Sequence, residues 1–201
     1  MKYEFTDQTM KFNGRTLHRI RALEDFPIAQ IAGYIVRAGD LGGWVETAKN
    51  LSQYGSAWVA GEAKVFDSAL VSDNAFVGDL AQVSDNAWIS DNARVLNNAQ
   101  VSGSVWVYEE ARIGYVANIS QRAKIHGKAL VGGNASVRGY SNVYGNASIL
   151  QDAQVSGYAH IFGYAQIRGC ADVDGNTVVK GTEKITGTEV KTHRSKDQGA
   201  R

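Results

Sequence analysis

Proline occurs once, at Pro27, and cysteine once, at Cys170. A lone cysteine excludes an internal disulfide and fits a reducing compartment. No stretch approaches the length of an apolar membrane span, and Met1–Phe12 lacks the apolar segment of a signal peptide, so the expected location is cytoplasmic. The formal net charge is only +1, which sets up no global field toward nucleic acid or anionic membrane. Glycine, by contrast, is abundant at 22 residues. A chain rich in glycine and almost without proline turns often and has few long irregular loops.

What is present is a repeat. Stepping by six from Val59 to Ile185, every position is valine or isoleucine, in 22 consecutive hits. Two residues before each, the position is alanine from Ala57 to Ala171, except at Val105 and Ser141. Between these units lie turn residues such as Asp73-Asn74, Asp85-Asn86, Gly133-Asn134 and Gly145-Asn146. A branched and a small inward residue per hexad make a short strand. Asp, Asn and Gly at the corner accept the left-handed backbone of a sharp bend. Three edges close a triangle, and the next coil stacks on it by parallel pairing. The prediction is an all-β fold: a parallel β-helix of about seven 18-residue coils, roughly 35 Å long at the usual strand spacing, with a small N-terminal β cap.

The hexad Val/Ile-x-Gly/Asp-Asn-Ala-x resembles the hexapeptide-repeat acyltransferase superfamily, which includes acetyltransferases and the gamma-class carbonic anhydrases. The run Gly39-Asp40-Leu41-Gly42-Gly43-Trp44-Val45-Glu46, with Asn50-Leu51-Ser52-Gln53 and Gly55-Ser56-Ala57-Trp58-Val59, is similar to the uncharacterised YdcK-like group of bacterial and phage sequences. The resemblance spans about residues 15–187. It implies a left-handed coil, against the usual right-handed crossover, and homotrimeric assembly.

Lys11–Leu17 carries an Asn-Gly hairpin signal, so residues 1–34 are expected to cap the open end. Running the register back through Thr47 and Leu41 starts the helix at Ile35, giving a coil over 35–187. Glu183 falls on an alanine position and Lys191 on a valine position, which ends the packed coil near Ile185. Residues 188–201 are expected to form a flexible basic tail.

His126 and His160 are the acid–base candidates, on one face and about two coils apart, roughly 9–10 Å by strand spacing. That gap is too wide for one zinc ion, and the His-x4-His pair of the carbonic anhydrases is missing, so no metal is expected. The resemblance implies that either histidine could serve as the general base of an acyl-CoA-dependent acyltransferase. The projecting acceptor loop common in such enzymes is absent from the unbroken hexads. The same face presents Leu70, Trp88, Trp106, Tyr108, Tyr144 and Phe162, and the adjacent face Trp58, Phe76, Leu96, Leu130 and Leu150. Exposed aromatic stripes of this size mark interfaces. The expected function is a non-catalytic oligomeric binding scaffold with a protein partner and no cofactor, phage-associated and directed at a host component. Acyl transfer is the alternative, and nucleic acid is not an expected partner.

Overall fold

A computed structural model describes residues 1–29, 31 and 33–193. The chain is an all-β parallel β-helix, wound left-handed, and its strands form three flat sides. The first side runs through Lys64–Val65, Gln82–Val83 and Gln100–Val101 up to Asp172–Gly175 and Val190–His193. Among the described residues the second holds seven strands, from Leu70–Val71 to Val178–Val179, and the third eight, from Trp58–Val59 to Lys184–Ile185. The stack therefore reaches about eight coils rather than seven.

Pairing is in strict 18-residue register, as in Val83 with both Val65 and Val101. Every branched residue of the hexad column is buried, and so is the alanine two places before it. Where that column carries a hydroxyl residue, the hydroxyl turns back on its own corner. Ser141 Oγ donates to the Arg138 carbonyl at 2.6 Å, and Thr177 Oγ1 donates to the Asp174 carbonyl at 2.5 Å.

One residue per hexad sits at positive φ, from Gly55 and Gly61 through Asp67, Asp73, Asp79 and onward to Gly187. Non-glycine residues pay a steric cost there. At the Asp, Asn and Gln corners the side chain offsets it by accepting the backbone N–H of the corner one coil on. Asp79 Oδ2 takes the N–H of Asn97 at 2.8 Å, Asp85 Oδ2 that of Gly103 at 2.8 Å, and Gln121 Oε1 that of Gly139 at 2.8 Å. Glu109 and Tyr115 take the corner without that bond, and the remaining corners are glycine, at some of which a side chain would collide. A Cβ on Gly139 would lie 2.5 Å from the carbonyl oxygen of Gly157 and 2.8 Å from its nitrogen.

The N-terminal segment forms a hairpin as expected, with β1 (Tyr3–Phe12) antiparallel to β2 (Arg15–Ala22). It extends the first side instead of merely plugging the end: β2 pairs antiparallel with β5 (Leu41–Val45), which pairs parallel with Lys64–Val65. Between them, β3 (Phe26–Pro27) and β4 (Ile35–Val36) make a flap over the third side.

The backward extension of the register is corrected. Ile35 and Leu41 are exposed, as is Thr47, while Val36, Val45 and Leu51 point inward. Val45 pairs with Val65 and Leu51 with Val71, so the first coil is two residues longer than the rest. The extra residues fall before Val59, where Gln53 Oε1 accepts the Lys2 N–H at 2.8 Å and locks the first strand down.

The other end is corrected as well. Val190–His193 pairs with Asp172–Gly175, so the coil continues beyond Ile185 into the segment expected to be a tail. Lys191 stands in register with Val173 and forms an ion pair with Glu183. The two off-pattern residues are each other's partner, and both side chains stay partly exposed, 39% and 37%, at the open end of the coil. Residues 194–201 of the expected tail lie outside the described residues. Among the described residues no helix is long and apolar enough to cross a membrane.

Burial lowers the pKa of Lys2 to about 8, partly opposed by Glu24, and raises that of Tyr3 to about 12, partly opposed by a hydrogen bond from Gln53. Lys2 Nζ donates to the Ala57 carbonyl at 2.7 Å, and Tyr3 Oη to that of Leu51 at 2.8 Å. Between pH 8 and about 10.4 the unfolded chain binds more protons at Lys2, so stability rises with pH. Above pH 10 the folded chain holds the Tyr3 proton more tightly, so stability falls. The melting temperature is expected to climb from pH 8 to about 10 and then drop. In Lys2→Met the climb should disappear, while an unchanged profile would contradict this origin.

Candidate binding face

The second side carries two outward columns. In the column just after the inward valine, Tyr108, His126, Tyr144 and Phe162 stack face to face on successive coils. Their centroids are 4.6, 5.0 and 5.0 Å apart and their planes within 10°. The coil rise of about 4.8 Å matches ring-stacking distance, so one aromatic per coil in one column makes a ladder. The ladder consumes the ring faces and presents edges to solvent.

The neighbouring column holds Trp88 and Trp106, cross-strand partners 40% and 44% exposed. Their rings meet edge to face at 5.6 Å and 76°. Trp88 Nε1 donates to Ser72 Oγ at 3.0 Å, fixing its ring. Lys124 Nζ lies 4.9 Å from the Trp106 ring centroid, a cation already resting on this platform. The two tryptophans, Tyr108, Ser90, Asp73 and Asp91 line an open groove of about 480 Å³. Among the described residues neither Asp73 nor Asp91 has a basic partner, and Glu109 has only His126 Nδ1, at 3.8 Å. Burial, with the charges of Glu109 and Asp91, pushes the Tyr108 phenol up. The groove is aromatic in its floor and negative along one wall.

The two candidate histidines do not converge. His126 is sandwiched by Tyr108 and Tyr144, and its Nε2 lies 3.0 Å from Asn142 Oδ1. His160 is the cross-strand partner of Asn142, two coils on and in the other column. Among the described residues no three metal-ligating side chains come together.

The adjacent face differs from expectation. Trp58 and Phe76, expected as interface residues, are 1% and 6% exposed. Phe26 of the flap packs edge-on against Trp58 at 5.4 Å, and Tyr34 against Phe76 at 6.2 Å. They are core beneath the flap. Sequence reasoning passed over Arg94 and Arg112 on that same side, although their outward positions were readable from the hexad register.

No protein-family model matches the chain, and no curated protein matches it.

The stack assigns His126 a packing role. His126→Ala removes two ring contacts and should lower stability by about 1–3 kcal/mol, whereas His126→Phe should preserve it. Chemical denaturation of both variants measures this, and equal loss in the two would contradict the ladder.

Proposed function

We propose that this protein is a non-catalytic binding scaffold that docks an arginine- or lysine-rich segment of a partner protein in the Trp88–Trp106 groove. The observation that carries the reading is the pairing of two partly exposed indoles, Trp88 and Trp106, with Asp73 and Asp91, which have no basic partner among the described residues. Aromatic faces beside carboxylates attract cations through both ring quadrupole and charge, and Lys124 over Trp106 is an internal instance. Acyl transfer through His126 gains less support, because its ring faces and Nε2 are already engaged. The resemblance to hexapeptide-repeat proteins adds homotrimeric assembly, a phage association and a host target to this proposal. Tyr144 and Phe162, with their faces in the ladder, support the platform more than they contact a ligand.

The test uses fluorescein-labelled octa-arginine, with a Gly-Ser peptide as control, read by anisotropy and by intrinsic tryptophan fluorescence. Saturable binding of octa-arginine alone is expected, weakened at least about tenfold by Trp88→Ala with Trp106→Ala, and weakened by Asp73→Asn with Asp91→Asn. Asparagine keeps the left-handed corner while removing the charge. Binding should also weaken as salt rises. Binding unaffected by these variants would overturn the reading. So would light scattering that shows the tryptophan variant as monomers and the parent as oligomers, since a second copy would then occupy the face.

A further inference from the structure

On the third side, Arg94 and Arg112 are direct cross-strand partners on neighbouring coils. Like charges placed directly opposite on adjacent strands are destabilising. Corner acids are common in this half of the molecule, yet among the described residues neither guanidinium has a carboxylate within ion-pair distance. Their outward column otherwise reads Trp58, Phe76, Leu130, Ser148 and Gln166 before Lys184. Two arginines thus stand between the apolar side chains of Phe76 and Leu130.

The pair lines a concavity of about 220 Å³, walled by Ala29 of the flap, Asn92 and Glu110. Glu110 is the one acid on the wall, and Lys128 approaches it at 3.7 Å. Partial burial and the adjacent Arg112 charge both lower the proton affinity of Arg94. The concavity therefore holds two positive charges at one strand spacing, with no carboxylate in ion-pair distance of either among the described residues and with Glu110 on its wall shared with Lys128. Leu130, the next strand partner of Arg112, supplies an apolar shoulder.

We propose that Arg94 and Arg112 form a binding site for a phosphate group carried on a small organic molecule. A tetrahedral oxyanion bridging the two forks would supply the missing counter-charge. Each guanidinium can donate paired N–H bonds to such an oxyanion, which a lysine cannot reproduce. The apolar shoulder at Leu130 suits the organic part. This site is on a different side from the tryptophan groove and of opposite charge, so it stands independently of the docking reading.

The experiment is thermal melting with titration calorimetry, using inorganic phosphate and phenyl phosphate against chloride at matched ionic strength. Ligand that binds only the folded state raises the melting temperature by mass action. Wild type should respond to both phosphates, more strongly to phenyl phosphate, and Lys184→Gln should respond equally. Arg94→Gln and Arg112→Gln should each melt no lower than wild type without anion, because a repulsion is relieved, and should lose the response. The proposal is overturned if wild type responds no more to the phosphates than to chloride, or if the response survives in both arginine variants. A lower melting temperature of Arg94→Gln without anion would also overturn it, since the arginine would then be serving the fold.

Discussion

Closure of the chain every 18 residues with the same three corners is the constraint from which the rest of this molecule follows. Each corner needs one residue in the left-handed region, and each new coil must lay its N–H groups on the carbonyls of the last. Glycine meets the first demand without strain. Aspartate, asparagine and glutamine meet it at a cost of roughly 1 kcal/mol or more and recover some by accepting the next corner's N–H. The two solutions are unevenly distributed. Carboxylate corners fill the early coils at Asp67, Asp73, Asp79, Asp85 and Asp91, while glycine dominates from Gly127 onward.

Strict stacking turns every outward position into a column, so that any side chain is judged against copies of its own position one coil away. Rings in such a column stack, as from Tyr108 to Phe162, and hydrogen-bonding corners form ladders. Charges in a column repel unless something neutralises them. Acidic corners lie beside Trp88 and Trp106 on one side, and Arg94 lies over Arg112 on another. Both arise from the same geometric rule acting on different residues.

That rule is also why so much was legible beforehand. The valine column, the alanine column and the corner spacing follow from inward packing alone, and the membership of each face follows by counting in 18s. What the count could not supply lies where the repeat stops. The N-terminal flap has no period, so nothing marked Trp58 and Phe76 as its floor. Two extra residues before Val59 broke the backward extension to Ile35. Glu183 and Lys191 each read as an ending because a charge is unfavourable inside; in fact both stay partly exposed and pair with each other while Val190–His193 continues the sheet. His126 and Tyr144 looked available as surface groups because ring stacking between coils is invisible to a list of outward positions.

The central claim, that an 18-residue register governs fold and surface together, is tested most directly by duplicating a coil. Inserting a second copy of residues 124–141 after position 141 adds one complete turn, and inserting a copy of residues 125–141 adds a turn short by one residue. Melting followed by circular dichroism compares both with the parent. The account predicts a complete-turn variant that melts at or above the parent temperature and a short-turn variant that is strongly destabilised, since every later valine leaves its column. Equal tolerance of the two insertions would contradict it.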